Sequence, residues 1–352
     1  TRSSPLRQRP AQPCTSPAPG TSSTEVVVTA DSRASLRSSA FVAGGGALLA
    51  GILVAVQARL NGQLALLTGS GVEAAAVSFG TGWVILTVLL VASRPVRAGV
   101  RGVVDAVRQG RLRPWQLLGG MLGGFVVFVQ SATVPIVGVA VFTVALVAGQ
   151  SVNSLVVDRA GLGPAGRQPI TGARVLSAAL AIMAVLIAVS DRVTGPTAAS
   201  VPSIVAALIA GVLVAVQQAI NGRVGAAAGN GFTAAWFNFA LGCIFLGVLF
   251  GLAWALTDTD PGALPSGPWW IYAGGALGVL FIATAAWVVQ RLGVLLFALI
   301  SIAGQLMGAL LLDWVAPTPG ATFHMALVAG VLLAGIAVAV GALPTVLARR
   351  AH

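Results

Sequence analysis

The sequence predicts an all-α polytopic membrane protein with ten transmembrane helices, built as two inverted five-helix repeats. Of its 352 residues, 57% are hydrophobic and only 8% are charged, which is too little charge to cover a water-facing surface. The apolar residues form runs long enough to cross a hydrocarbon core of about 30 Å, and these runs are apolar on all sides. In addition, segments of the first half of the chain recur in the second half.

A polar tail, residues 1–40, precedes the first apolar run and is rich in Ser, Thr, Pro and Arg. Such a composition cannot bury a core and predicts disorder. The chain has two cysteines and two histidines, all far apart in the sequence, so it predicts neither a metal site nor a disulfide framework. No nucleotide-binding or catalytic motif suggests a cofactor.

Ten apolar spans follow the tail, and short junctions between many of them predict antiparallel neighbours. The first five spans form a first repeat, residues 41–190, and the last five form a second repeat, residues 202–346. The spans cover residues 41–60, 72–92, 115–133, 136–157, 173–190, 202–220, 232–256, 268–289, 292–314 and 323–346.

The charges predict the orientation of the chain. All 20 basic residues are Arg, and most of them lie in the tail and in loops that fall on one side of the membrane if the span count is ten. The positive-inside rule places this side, with both termini, in the cytoplasm of a multi-pass protein of the inner membrane. Because this distribution accounts for the net charge of +11, it favours membrane lipids over nucleic acid as partners.

Two blocks of sequence carry the internal repeat. The segment GILVAVQARLNG (51–62) recurs as GVLVAVQQAING (211–222), with 8 of 12 residues identical at positions that differ by 160. The segment GGMLGG (119–124) recurs as GGALGV (274–279) at a difference of 155, and this second alignment continues to Gln150/Gln305 and Asp158/Asp313. Since five is odd, the second copy enters the membrane from the opposite side, an arrangement typical of secondary transporters.

The ten spans, the five-plus-five duplication and the repeated A-V-Q-x-x-[LI]-N-G segment resemble the drug/metabolite transporter superfamily, whose EamA-like members share this fold. The Ala-rich span with Phe and Gly that follows each segment resembles its YdcZ-like branch. This resemblance implies a substrate site between the two halves, at the polar positions of the repeated segments. The membrane-embedded glutamate that small multidrug exporters carry in their first span is missing here, so proton-driven export of cationic drugs is not implied.

Nine polar residues inside the apolar spans or directly after them are candidates to line the substrate pathway. Gln57 and Asn61 are four residues apart and share a helix face, as do their counterparts in the second repeat. The alternatives are that the Asn-Gly pairs stop their helices and that the other amides only hold helices together. The nine candidates are Gln57, Asn61, Gln150, Asn153, Gln217, Asn221, Asn238, Ser301 and Gln305.

Three acids at the ends of spans, Glu73, Asp158 and Asp313, are candidates for proton coupling, with solvated helix ends as the alternative. The predicted function is a secondary transporter or facilitator that moves a small neutral or zwitterionic metabolite by alternating access, because neutral polar side chains dominate the candidate pathway. We expect no enzyme activity, since paired catalytic acids, bases and nucleophiles are missing. The alternative is a membrane-embedded scaffold subunit or lipid-modifying enzyme. Small-xxx-small steps such as Gly120/Gly124 pack helices closely and could equally form the face of a homodimer.

Overall fold

The computed structural model describes residues 30–190, 200–257, 265–319, 321 and 323–350. The chain divides into a unit of residues 1–38 and a unit of residues 39–352. The predicted tail lies outside the described residues up to position 29, and the chain is helical from Ala30 onwards.

The secondary structure of the described residues is entirely helical, as predicted. Within them, nine helical segments are long and apolar enough to cross a membrane, and Gly172–Ala188 is apolar but shorter. Two short 3₁₀ turns, Pro114–Leu118 and Trp269–Tyr272, precede α4 and α9. The helices are α1 (Ala30–Thr68), α2 (Gly71–Ala92), α3 (Arg94–Arg108), α4 (Gly119–Val137), α5 (Val139–Ala160), α6 (Gly172–Ala188), α7 (Val201–Ala228), α8 (Gly231–Thr257), α9 (Gly274–Val315) and α10 (Met325–Arg350).

The first helix of each half is longer than the sequence suggested. The predicted spans end at residues 60 and 220, directly before the Asn-Gly pairs, but α1 continues to Thr68 and α7 to Ala228. The residues that follow each pair are apolar or small, so the helix can keep burying one face. Each helix ends instead before a glycine with positive φ, Gly69 or Gly229. The alternative reading of Asn61 and Asn221 as helix stops is therefore wrong.

One glycine in each half, at corresponding positions, interrupts the helical path. Gly138 separates α4 from α5 with φ 86° and ψ 163°, and Gly293 breaks α9 with φ 79° and ψ 164°. A residue with a β-carbon rarely adopts such a conformation, which explains glycine at both sites. The break divides α9 into two apolar arms, Gly274–Gly293 and Leu296–Val315, which correspond to the eighth and ninth predicted spans.

Helices from different halves cross at glycines. A β-carbon on Gly51 of α1 would collide with the backbone oxygen of Ser301 in α9, and one on Gly211 of α7 would collide with that of Leu146 in α5. Gly51 and Gly211 differ by 160 in number, and Leu146 and Ser301 by 155. The two crossings therefore use corresponding residues of the two halves.

A small cluster of buried side chains between α2 and α8 also brings together corresponding residues of the two halves. Its fully buried members are three pairs whose numbers differ by 160, namely Ala75/Ala235, Phe79/Phe239 and Leu86/Leu246. The rings of Phe79 and Phe239 lie 4.9 Å apart, centre to centre. Each ring also packs over a glycine of the opposite helix, Phe79 over Gly242 and Phe239 over Gly82. Side chains that correspond in the repeat thus meet each other between α2 and α8.

The helix α3 lies between the second and third predicted spans, where the sequence predicts a loop. Its buried residues, Val96, Gly99, Val103 and Ala106, recur at three- and four-residue intervals and pack against α7 and the start of α8. Four arginines, Arg94, Arg97, Arg101 and Arg108, occupy the rest of the helix. Their density hid this amphipathic spacing, which is typical of a helix lying on an apolar surface.

The glycine crossings yield a first prediction. Gly51→Ala or Gly211→Ala should lower the thermal stability of the purified protein, because each new methyl group meets a backbone oxygen of the crossing helix. Overpacking of this kind costs about 1–3 kcal/mol. Gly80→Ala in α2 is the matched control, since a β-carbon there has no atom within 4 Å. Equal stability of all three variants in a detergent melting experiment would contradict these crossings.

Candidate substrate site

The first polar cluster lies where α1 meets α2 and α4. Asn61 is 0% exposed, and its side-chain Nδ2 donates a hydrogen bond to Oε1 of Gln130 in α4 at 3.0 Å. Among the described residues, neither Oδ1 of Asn61 nor Oγ of the buried Ser78 has a hydrogen-bond partner. Both atoms approach Gly274 so closely that a β-carbon there would collide with them. The cluster therefore presents two unpaired polar atoms to the start of α9.

The second polar cluster, between α7 and α8, is fully connected. Gln217 Nε2 and Asn221 Nδ2 both donate to Oδ1 of Asn238, at 3.0 and 2.8 Å. Gly119 of α4 lies against Asn221 as Gly274 lies against Asn61, so the surroundings correspond. The three predicted residues Gln217, Asn221 and Asn238 are thus brought together.

One substitution between the halves explains why the clusters differ. Asn238 corresponds to Ser78, 160 residues earlier. An asparagine side chain reaches far enough to accept from two neighbouring amides, whereas a serine hydroxyl is shorter. Asn61 bonds instead to Gln130, a residue that the sequence reading missed. Its signal was a glutamine well inside the apolar run of the third span.

Gln57 lies near the central aromatic pair and is half-buried. Its amide nitrogen comes within 3.2 Å of the position that a β-carbon on Gly278 would take, and the Phe239 ring within 3.3 Å of the same point. No hydrogen bond to this side chain occurs within the part of the chain that the structure describes. Its counterpart Gln217 is tied to Asn238, so the two glutamines differ in their freedom to bind a ligand.

The candidate residues on α5 and on α9 differ in their hydrogen bonding. Gln150 Nε2 donates to Oε1 of Gln218 at 2.9 Å, and Asn153 Nδ2 donates to the backbone oxygen of Val212 at 2.8 Å, so both tie α5 to α7. This geometry matches the alternative of interhelical hydrogen bonds. Ser301 is buried and Gln305 is half-buried beside the crossing with α1, and the described region holds no hydrogen bond to either side chain.

Comparison with known proteins gives a family match. The family described as "Putative inner membrane exporter, YdcZ" matches two stretches of the chain, residues 43–187 and 203–340. This chain belongs to the YdcZ family. No curated protein and no solved structure gave a significant match. The resemblance to the YdcZ-like branch of the drug/metabolite transporters is confirmed, and with its apolar helices the chain is a multi-pass integral protein of the inner membrane in a transporter family.

The acids of this YdcZ-family chain occupy contrasting environments. Asp313 in α9 is 3% exposed, and its carboxylate accepts hydrogen bonds from the backbone N–H groups of Val139 and Ala140 at 3.0 and 2.7 Å. It therefore holds the first turn of α5 at the Gly138 turn. Its counterpart Asp158 is about one third exposed and pairs with Arg174 at 2.9 Å. These two candidates do not share one role.

The remaining acid candidate, Glu73, lies in the first turn of α2. Its backbone N–H donates to the side-chain oxygen of Ser70, which caps the helix. A carboxylate at this position interacts favourably with the positive end of the helix dipole. Within the described residues, no group of three His, Cys, Asp or Glu side chains could hold a metal ion.

Two arginines of the YdcZ-family chain bind corresponding carbonyls in opposite halves. Arg59 of α1 donates to the backbone oxygen of Pro317 at 3.2 Å, close enough to Asp313 to feel its charge. Arg223 of α7 donates to the backbone oxygens of Leu162 and Gly161, both at 2.6 Å. Pro317 and Leu162 differ by 155 in number, although the arginines themselves are not aligned in the repeat. In both halves, therefore, an arginine ties the first helix of one half to the segment after the fourth apolar span of the other.

The contrast between the two aspartates yields a second prediction. Asp313→Ala should destabilise the protein by about 3 kcal/mol, because two buried charge-assisted hydrogen bonds to α5 are lost. Asp158→Ala, the matched control at the corresponding position, should cost no more than about 1 kcal/mol, as expected for a solvent-screened ion pair. Thermal unfolding of both variants checks this, and equal losses would rule out the special role of Asp313.

Proposed function

We propose that this protein is a secondary transporter that moves a small neutral or zwitterionic metabolite across the inner membrane by alternating access. The single observation that carries this is Gln57, a half-buried amide without a partner in the described region, beside the central Phe79–Phe239 pair. An amide inside a membrane is costly unless it meets water, a ligand or another polar group. Gln57 is therefore the first side chain that we assign to substrate.

The proposed mechanism depends on two inverted five-helix repeats. Support comes from the reciprocal contacts at Gly51 and Gly211, from the pairing of Phe79 with Phe239, and from a family match to one stretch in each half. Two similar units of opposite orientation can exchange conformations, and such an exchange moves the opening from one face of the membrane to the other. The arginine contacts at Pro317 and Leu162 are the closures that we assign to the two ends.

The proposed pathway runs between the two amide clusters. Gln57, Asn61, Ser301 and Gln305 line the portion built by α1 and α9, and the amides of Gln217, Asn221 and Asn238 line the portion built by α7 and α8. Gln150 and Asn153 support it from α5. Neutral amides and hydroxyls offer both donors and acceptors but no charge, which suits a neutral or zwitterionic solute.

The family description supports outward movement, so export is the direction that we propose. Glu73, Asp158 and Asp313 remain the candidates for proton coupling. We assign the faces of the membrane from the arginines of the loops, which place both termini in the cytoplasm.

A third prediction tests the ten-span topology. Reporter fusions after residues 110 and 350 should give cytoplasmic signals, and fusions after residues 195 and 260 should give periplasmic ones. The segment Gly172–Ala188 decides the outcome, because it is the shortest of the apolar helices. If this segment does not cross the membrane, the fusions after residues 195 and 260 will give cytoplasmic signals. That result would contradict the inverted arrangement of the two repeats.

A fourth prediction tests the pathway. Gln57→Leu should abolish metabolite transport in proteoliposomes without lowering thermal stability, because no hydrogen bond to the Gln57 side chain is lost within the described part of the chain. Gln217→Leu should abolish transport and also lower stability by about 0.6 kcal/mol, the average value of one interhelical hydrogen bond. Gln218→Leu is the control: this neighbour is exposed and bonds to Gln150, so transport should survive.

Cysteine labelling tests the same pathway without knowledge of the substrate. In a background with Cys14 and Cys243 replaced by Ser, a Cys at position 57 should react mainly from outside and a Cys at position 217 mainly from inside. This follows from their positions on oppositely oriented helices. If neither Cys reacts from either side under any condition, the pathway lies elsewhere.

A further inference from the structure

A polar cavity lies at the end of the bundle where α3 and α7 meet. Its volume is about 260 Å³, several times the roughly 30 Å³ that one water molecule occupies in the liquid. Its lining contains two arginines and no acid. The lining residues are Ala106, Arg111, Leu112, Pro164, Arg223, Ala226 and Ala227.

The two guanidinium groups keep donors available for a ligand. Arg223 uses Nε and Nη2 on the carbonyls of Leu162 and Gly161, and Arg111 uses only Nε, on Oε1 of Gln109 at 2.9 Å. In the described part of the chain, no protein acceptor pairs with Nη1 of Arg223 or with either terminal nitrogen of Arg111. The carbonyl contacts hold the Arg223 side chain in place, which lowers the entropy lost when an anion binds.

An apolar groove of about 420 Å³ also lies along α7. Leu213, Val216 and Ile220 of α7 line the groove, whereas Arg223 and Ala227 line the polar cavity. These five positions are spaced by three and four residues, so they form one stripe on the helix. The groove is completed by Trp115, Leu118, Met121, Leu122, Phe125 and Phe245.

The surroundings of the cavity are strongly basic. The exposed arginines of α3, Arg94, Arg101 and Arg108, lie on the helix whose last turn lines the cavity, with Asp105 as the one acid of that helix. Our proposed orientation places this end of the bundle in the cytoplasm. There, basic pockets next to transmembrane helices meet the anionic headgroups of the inner leaflet.

We propose that the polar cavity and the apolar groove together bind one anionic phospholipid. Its phosphate accepts hydrogen bonds from Arg111 and Arg223, and one acyl chain lies along the α7 stripe. Arginine suits this role because its planar donors match phosphate oxygens. The apolar groove beside the cavity favours a lipid over free phosphate, since a soluble anion would leave the groove without an occupant.

The test uses the full chain in a neutral detergent and in nanodiscs of phosphatidylcholine, with or without phosphatidylglycerol. Native mass spectrometry should find phosphatidylglycerol retained, and titration with it should raise the melting temperature more than phosphatidylcholine does. Arg111→Gln and Arg223→Gln should each weaken the apparent affinity about tenfold or more, the effect of one lost charge-assisted hydrogen bond. Arg101→Gln removes the same charge from the same basic surface without lining the cavity, so it should have little effect.

Two further measurements distinguish a bound lipid from a bound soluble anion. Val216→Trp should obstruct the groove and weaken phosphatidylglycerol binding, with both arginines intact. Inorganic phosphate and glycerol 1-phosphate should stabilise the protein far less than the lipid. Stabilisation by inorganic phosphate equal to that by lipid, or an unchanged Val216→Trp variant, would overturn the lipid assignment. An equal loss in Arg101→Gln and Arg111→Gln would show a diffuse charge effect and overturn the site. If Arg223→Gln does not fold, Arg111→Gln decides alone.

Discussion

Gly51 of α1 and Gly211 of α7 each lie against a backbone oxygen of a helix from the other half of the chain, at a distance that leaves no room for a β-carbon. In a bilayer, such close approach replaces the hydrophobic effect as the force that joins helices, because lipid is as apolar as the side chains. The rest of the bundle depends on these crossings. They hold α1 against α9 and α7 against α5, and the four helices carry most of the polar residues discussed here.

Close crossings also decide which amides find partners. Asn221 and Gln217 converge on Asn238, and in the corresponding place Asn61 finds only the shorter Ser78 and bonds to Gln130. Gln57 has no protein partner in the described region. A membrane protein that keeps such a half-buried amide inside a transmembrane helix accepts a cost in stability. A site at which water and substrate exchange requires polar groups that the protein itself does not satisfy.

Much of the fold could be predicted because each span carries its own signal. Apolar runs located the helices, and the recurrence of Gln57 as Gln217 and of Gln150 as Gln305 indicated two related halves. The helix α3 was missed because its arginines conceal four buried residues at helical spacing. The partners of the amides could not be predicted, since they depend on where α4 and α8 cross α1 and α7. Gln130 became relevant only through its contact with Asn61, and Asp313, expected at a helix end, proved to be buried against α5.

In the proposed mechanism, the differences between the halves bear on which conformational state is the more stable. If the two repeats were identical, the inward-open and outward-open states would have the same contacts and, apart from the membrane potential, the same energy. Here Asp313 is buried in hydrogen bonds to α5, whereas the corresponding Asp158 lies in a partly exposed ion pair with Arg174. If the proposed opening of each end separates these contacts, the end at Asp313 loses stronger contacts than the end at Asp158. In the proposed mechanism this inequality favours the state closed at the Asp313 end, and a ligand must bind the opposite state more tightly in order to shift that balance. In the proposed mechanism, the duplication therefore gives one preferred resting state only where its two copies have diverged.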